Sequence, residues 1–417
     1  MTTAPAPSAA RFQLHFAEFV ALVAFMMGLT ALGIDTLLPA FPMIAAEFHV
    51  ATENDLQLLV YVYMIGFAVT QLAYGPVSDM VGRRPVMIVG MLLFAVGGVA
   101  AMLAHSFTAL IAARLVQGMG AAAARVLAVS IVRDRFSGRD MARVMSLTMM
   151  VFITIPVLAP AFGSLVLLFG GWRFLFGVMF ALVLAVLAWF TLRMPETLHP
   201  EYRMPLSWRR IEEGVLACVR NRAAAGYSTA MGLMSGCLMG YVGSAQQIFG
   251  ADVYALGAWF PLAFGLVACV MGVGAFVNSR LVARHGMRRM AHTALVGYVA
   301  VALLQLAVSF AYGGHPPLVV FGLILAANNF LFSLTVPNFN AMSMEPLGAI
   351  AGTASSLIGF YTTLMGALLG LAIGQAFDGT VLPLGAGFVV YSVLSLAVVL
   401  WAEKGRLFQA QHAAPRH

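Results

Sequence analysis

The chain is 417 residues long, 61% hydrophobic and only 9% charged, with a mean hydropathy of +0.92. A soluble domain carries about 25% charged residues, so this composition excludes an ordinary globular protein and leaves a polytopic membrane protein. The net charge of +7 excludes a nucleic-acid-binding domain, because its arginines are scattered over several short loops and Lys404 is the only lysine.

Apolar runs broken by charge, Gly or Pro predict helices of about 20 residues, long enough to cross a bilayer. Residues 1–17 are Ala/Pro-rich and expected to be disordered, with no cleaved signal peptide. The spans follow at about Phe19–Met43, Leu56–Tyr74, Val86–Leu103, Thr108–Val132 and Val144–Phe169, and a sixth opens at GGWR and ends near Leu192. A polar linker at 193–222 separates this first bundle, 18–192, from a second at 223–402. The second bundle holds spans at about Ala223–Val242, Leu256–Val277, Ala291–Ala311, Leu318–Met342, Thr353–Phe377 and Leu384–Trp401, and a tail occupies 403–417. The expected fold is therefore all-α, with 12 transmembrane helices in two six-helix pseudo-repeats. The alternating pattern of an outer-membrane barrel is missing.

Loop charges give the orientation. Loops after even-numbered spans carry Arg83 and Arg84, Arg133 to Arg143, Arg193 to Arg222, Arg280 to Arg289, and Lys404 with Arg406. Loops after odd-numbered spans carry Glu47, Glu53, Asp55, Asp252 and Asp378, with Arg173 the lone base. The positive-inside rule then puts both termini and the linker in the cytoplasm.

One carboxylate stands out. Asp35 lies inside the first span, where an acid costs about 3 kcal/mol on insertion scales and is normally kept for a function. Pro39, a turn later, loosens the helix beside it. Arg114, in span 4, sits at the same depth, both about 9–11 Å from one edge at 1.5 Å per residue. The pair reads as a proton site, with Arg114 altering the proton affinity of Asp35 as the two approach or separate. Arg125 lies deeper in span 4, and Glu18 reads as interfacial. Gly366, Gly370 and Gly374 in span 11 read as a close-packing stripe. Gln246, Gln247, Asn338 and Asn340 near span ends need no special role. Cys218, Cys237 and Cys269 have no CxxC spacing, so neither disulfides nor a metal site are expected. No Walker loop, HExxH or GxSxG setting appears, and neither an enzyme nor an ATP-driven pump is indicated.

The loop GPVSDMVGRRP fills every slot of G-x-x-x-D-x-x-G-R-[RK] through Gly75, Asp79, Gly82, Arg83 and Arg84, and it returns in degenerate form as SRLVARHGMRR after span 8. This resembles the major facilitator superfamily. Span 4 carries R-x-x-Q-G-x-G (Arg114, Gln117, Gly118, Gly120), and span 1 carries I-D-x-x-L-P (Asp35, Leu38, Pro39). With IVRD at 131–134 and MEPLGAIAGTASS at 344–356, the pattern resembles the drug:proton antiporters of the bicyclomycin/chloramphenicol resistance branch. The departures are Ala159-Pro160 and Gly163-Ser164 where that branch has G-P and G-G, and Met27 where some members carry a second acid.

The resemblance implies a gating loop in which Asp79 accepts from helix N-terminal N–H groups while its arginines pair with acids. It also implies a substrate cavity drawn from Met26, Met27, Ile34, Tyr61, Gln117, Met149, Met150, Leu238, Tyr241, Asn328, Asn329 and Ser333. The implied function is proton-coupled efflux of small amphipathic or cationic compounds by alternating access, by a monomer in the bacterial inner membrane. Its partners would be substrate, proton and lipid bilayer, with no cofactor besides the coupling proton. The alternatives are a proton symporter importing a metabolite or siderophore, and a transporter-like receptor that moves nothing.

Overall fold

With no water to bond to in a bilayer, a spanning chain must satisfy its own N–H and C=O groups, which favours helix over open strand. The computed structural model describes residues 14–205 and 207–408, without the side chains at 142, 149, 151–153, 208, 210 and 349. The expected disorder of the N-terminus thus falls almost wholly outside the described residues, as does most of the tail. Among the described residues there are fourteen α-helices and no strand: α1 (Phe16–Asp35), α2 (Phe41–Phe48), α3 (Leu58–Val81), α4 (Arg83–Met102), α5 (Phe107–Arg135), α6 (Gly138–Leu167), α7 (Trp172–Arg193), α8 (Trp208–Arg220), α9 (Arg222–Ala245), α10 (Phe260–His285), α11 (Met287–Ala311), α12 (Leu318–Met344), α13 (Ala351–Gln375) and α14 (Leu382–Ala402).

All but α2 and α8 are at least 20 residues long, and ten apolar stretches are long enough to cross a membrane by length and composition. The two remaining long helices are α6, where a shorter apolar stretch covers Thr154–Leu167, and α9, whose apolar run is diluted by Gly226, Ser228, Thr229 and Gly232. The linker is not extended chain throughout, since it contains the amphipathic α8.

The first span departs from expectation. It stops at Asp35, passes through a short 3-10 turn at Leu38–Ala40 and resumes as α2, which runs into the expected acidic loop. Pro39 and Pro42 have no N–H to offer the carbonyls of Asp35 and Leu38, so a regular helix cannot continue through them.

Helix packing repeats between the halves. In the first, α1 packs on α6, α3 and α4 on α5, and α4 on α7; in the second, α9 packs on α13, α10 and α11 on α12, and α11 on α14. These are the same pairings one repeat apart. The joints α3–α4 and α10–α11 also match, each turning at a glycine with positive φ: Gly82 at 120° and Gly286 at 82°. The halves meet along two seams, α3 against α13 and α6 against α10.

Small residues set the closest approaches. A Cβ at Gly118 would lie 1.9 Å from the Tyr63 carbonyl oxygen, and one at Gly120 would lie 2.1 Å from the Phe94 amide nitrogen. The glycines of the span-4 motif are thus where α3 and α4 lie against α5. Gly366 and Gly370 do the same for α9, against Ser235 and Met239, whereas Gly374 receives Gln57 from the other half. Because the Gly118 neighbour is backbone, it cannot rotate away. Gly118→Val is expected to lower stability by at least the ~1–3 kcal/mol of an overpacked core, read as a reduced melting temperature in detergent. Gly322→Ala, with open space around its Cβ position, should leave the melting temperature unchanged.

Candidate functional site

The break in α1 decides where Asp35 stands. It is the last residue of the helix and only 6% exposed, and among the described residues it has no hydrogen bond or ion pair. The last four carbonyls of a helix lack intrahelical donors, and the Arg114 guanidinium meets one of them. Fully buried on α5, Arg114 donates from Nη2 to the Gly33 carbonyl at 2.8 Å, from Nε to the Leu59 carbonyl at 3.0 Å and from Nη1 to Gln117 Oε1 at 2.5 Å. It also lies 4.4 Å from the Tyr63 ring centroid, and the Tyr63 hydroxyl donates to the Thr30 carbonyl at 3.2 Å.

Asp35 and Arg114, expected to approach or separate with conformation, form no ion pair here among the described residues. A cation at a helix C-terminus is favourable in its own right, and the backbone holds the guanidinium two residues short of the acid. Gln117, expected in the cavity, is fully buried as a partner of Arg114.

The start of α3 closes the seam on the face opposite the termini. Asn54 Nδ2 donates to the Phe377 carbonyl at 2.8 Å, Gln247 Nε2 to Asn54 Oδ1 at 2.7 Å, and Gln375 Nε2 to the Asn54 carbonyl at 2.9 Å. Gln57 Nε2 reaches the Gly374 carbonyl at 3.1 Å and also bonds Gln247 Oε1, while the Tyr61 hydroxyl donates to the Met239 carbonyl at 3.2 Å. Gln247 sits in a π-helical turn, Gln246–Ala251, that extends α9. Gln247 thus belongs to the seam, contrary to its expected indifference, whereas Gln246 is buried and makes none of these bonds. Asn54 and Gln57 were missed, because a polar residue at a span end reads as one that meets water.

The expected cavity residues are dispersed. Met26 and Met27 are fully buried, so neither faces open space in this conformation. Asn328 is turned towards α11, donating to Gln305 Oε1 at 2.6 Å. Asn329 and Ser333 bond carbonyls of their own helix, those of Leu325 and Phe330, at 2.9 and 2.7 Å. The low-dielectric interior makes a nearby partner preferable to an empty cavity for each. Leu238 is half-buried, Ile34 is buried, Met150 is 59% exposed, and the Met149 side chain lies outside the described residues. Tyr241 is 3% exposed, its ring stacked on Phe264 with centroids 5.7 Å apart, and its hydroxyl has no hydrogen-bond partner among the described residues.

On the face bearing the termini, the loop GPVSDMVGRRP is tied to the linker. Arg83 pairs with Asp79 at 2.5 Å and Asp134 at 3.0 Å. The expectation that Asp79 caps a helix is corrected: Glu196, just after α7, takes the N–H groups of Arg83 and Arg84 at 2.9 and 3.0 Å and so caps α4. Gly82 permits this, since a Cβ there would lie 2.5 Å from Glu196 Oε2. Arg84 Nη2 donates to the Thr191 carbonyl at 2.7 Å, and Gly75 brings α3 against Ser356 of α13. The second half has a counterpart: Glu403, just after α14, pairs with Arg288 at 3.3 Å and accepts from the Tyr227 hydroxyl at 2.5 Å.

The fold and these two seams define a two-bundle membrane transporter. The Major Facilitator Superfamily model matches residues 23–371, and the chain belongs to that family. It is 29% identical over 388 residues to a bicyclomycin resistance protein homolog of Haemophilus influenzae, covering 90% of this chain and 94% of the relative. It is 27% identical over 386 residues to the multidrug resistance protein MdtL of Klebsiella pneumoniae, covering 92% and 95%. Among solved structures, a D-xylose–proton symporter superposes with a TM-score of 0.71 at 15% identity, covering 90% of this chain and 97% of that one. The human organic anion transporter MFSD10 gives 0.66 at 19%, covering 94% and 100%. At such identities the superpositions carry the fold alone.

One titration bears on the closed seam. Asp252, in the loop after the π-turn, has its carboxyl pushed up to about 6 from the usual 3.8, first by partial burial and then by the Glu53 carboxylate across the seam. A raised value means that the proton favours this arrangement: its contribution is complete below the ordinary value near 3.8 and is lost as the pH rises through about 6. Spin labels at Ala51 and Ala376 are expected to report a shorter distance as pH falls through that range. Asp252→Asn should hold the short distance throughout, and a wild-type distance that ignores pH would contradict the assignment.

Proposed function

We propose that this chain is a proton-driven efflux transporter for small amphipathic or cationic compounds, with twelve spans and both termini in the cytoplasm of a bacterial inner membrane. The observation that carries the reading is Asp35: a buried carboxyl at a helix break, without a partner among the described residues, where the chain of one half approaches the seam with the other. An ionised group there is away from water and at the negative end of α1, two reasons for it to exchange a proton as the seam opens and closes. The names of the bicyclomycin and multidrug resistance relatives support export and a drug-like substrate class. The arginines on the terminus-bearing face support the orientation.

In this mechanism a proton enters Asp35 when the outer seam is parted and leaves when it is closed. Arg114 holds the broken end of α1 in place through Gly33, so that Asp35 moves with the bundle. The closed outer seam at Asn54, Gln57 and Gln247 then corresponds to the stage at which substrate is taken up from inside. A ligand drives such a cycle only through unequal affinity for its two states.

In everted vesicles, Asp35→Asn is expected to reduce export driven by a pH gradient at least about tenfold, a change of ~1.4 kcal/mol in the driving step, with expression and melting temperature retained. Full pH-driven export by this variant would remove the mechanism.

A further inference from the structure

The first residues of the C-terminal tail are tied to the second half by a run of hydrogen bonds with fixed directions. His292, in the second turn of α11, is fully buried near the face bearing the termini. Its Nδ1 lies 3.1 Å from the Phe408 amide nitrogen, and its Nε2 lies 2.9 Å from the Tyr227 hydroxyl. That hydroxyl lies 2.5 Å from Glu403 Oε1, and Glu403 pairs with Arg288 at 3.3 Å. The His292 ring is nearly parallel to Tyr227, at 10°, and meets Phe408 edge-on, at 76°.

Donor chemistry sets each direction. A backbone N–H only donates and a carboxylate only accepts. Phe408 therefore gives its hydrogen to Nδ1, which must carry a lone pair, and the hydrogen of the ring sits on Nε2. Nε2 donates to the Tyr227 oxygen, which leaves the tyrosine hydrogen for Glu403. The run of bonds thus requires a neutral imidazole. A second ring hydrogen, on Nδ1, would point at the Phe408 N–H and break that bond alone, since Nε2 donates in both charge states. The titratable and charged groups around the ring are Tyr227 from α9, Glu403 from just beyond α14 and Arg288 from α11 itself. From α12 comes the apolar Phe339, 5.3 Å from the Tyr227 ring, while Arg284 and His285 at the end of α10 are exposed.

We propose that His292 is a pH-sensitive latch, which holds the tail on the second bundle and releases it when the ring gains a proton. Among the described residues, the Phe408 N–H makes the one hydrogen bond from 404–408 to another helix. Loss of that bond leaves the tail tied to the bundle only where it leaves α14. Docking is complete above the ordinary imidazole value of about 6.5 and weakens as the pH falls through it. In the orientation proposed above, the latch faces the cytoplasm and responds to its acidity. None of these residues lies on α1 or in the outer seam, so the inference stands apart from the proton-site reading.

Distances between spin labels at the exposed Ala283 and Arg406 test this in purified full-length protein. Both labels sit on the second half, so movement of the seam is not read. The ratio of docked to displaced tail is expected to fall about tenfold from about pH 7.5 to about pH 5.5, the effect of one proton on a group of ordinary value ~6.5. In His292→Asn the side-chain oxygen takes the place of Nδ1 without titrating, so the docked distance should persist across that range. His292→Phe removes the acceptor and should show the displaced tail at every pH; if it does not fold, the asparagine variant decides alone. A wild-type distance that ignores pH would overturn the latch. So would a pH response that survives in His292→Asn, because the proton would then belong to another group.

Discussion

A helix that stops inside a low-dielectric bundle exposes carbonyls that no water can satisfy, and the structure around Asp35 follows from that constraint. Pro39 and Pro42 interrupt the first span, and the fully buried Arg114 supplies the missing donor at Gly33 while also holding Leu59 and Gln117. A guanidinium suits this task because its several donors diverge in one plane and it stays protonated. The consequence is a division of labour. The cation of span 4 fixes backbone geometry, and the acid of span 1 is left without a partner among the described residues.

The same economy appears at both ends of the molecule. On the face bearing the termini, each half returns an acid from the end of its sixth long helix to the joint between its second and third: Glu196 beside Arg83 and Arg84, Glu403 beside Arg288. On the opposite face the halves are joined by neutral amides, Asn54, Gln57, Gln247 and Gln375. Neutral hydrogen bonds contribute modestly, about 1 kcal/mol each. These amide bonds can open without leaving an unpaired charge behind, and the Glu53–Asp252 carboxyl pair beside them adds the titratable contact.

Much of this was legible in the sequence. Apolar run lengths gave the helix order, and the spacing of Gly75, Asp79, Gly82 and Arg83 marked the loop whose arginine pairs with Asp79 and Asp134. Helix periodicity could not give the partners. Arg114 and Asp35 lie at matching depth, but depth does not fix azimuth, and the guanidinium points to a carbonyl that becomes available only because the helix breaks. Asn328 looked like a cavity residue for the same reason: its helix lines the cavity in the family, yet its face turns to Gln305. Glu196 and Asn54 were hidden among loop residues, because a side chain that caps a distant helix or bridges two halves has no local signature. The glycines of span 4 were readable as a motif, and their reason, contact with the backbones of Tyr63 and Phe94, emerged only in three dimensions.

The central claim is that Asp35 changes its protonation during transport, and infrared difference spectroscopy of the purified protein observes that event directly. Adding tetraphenylphosphonium at neutral pH should remove a protonated-carboxyl stretching band in the wild type, and the same difference spectrum of Asp35→Asn should lack that feature. A band that disappears equally in both proteins would assign the proton to another group and contradict the account.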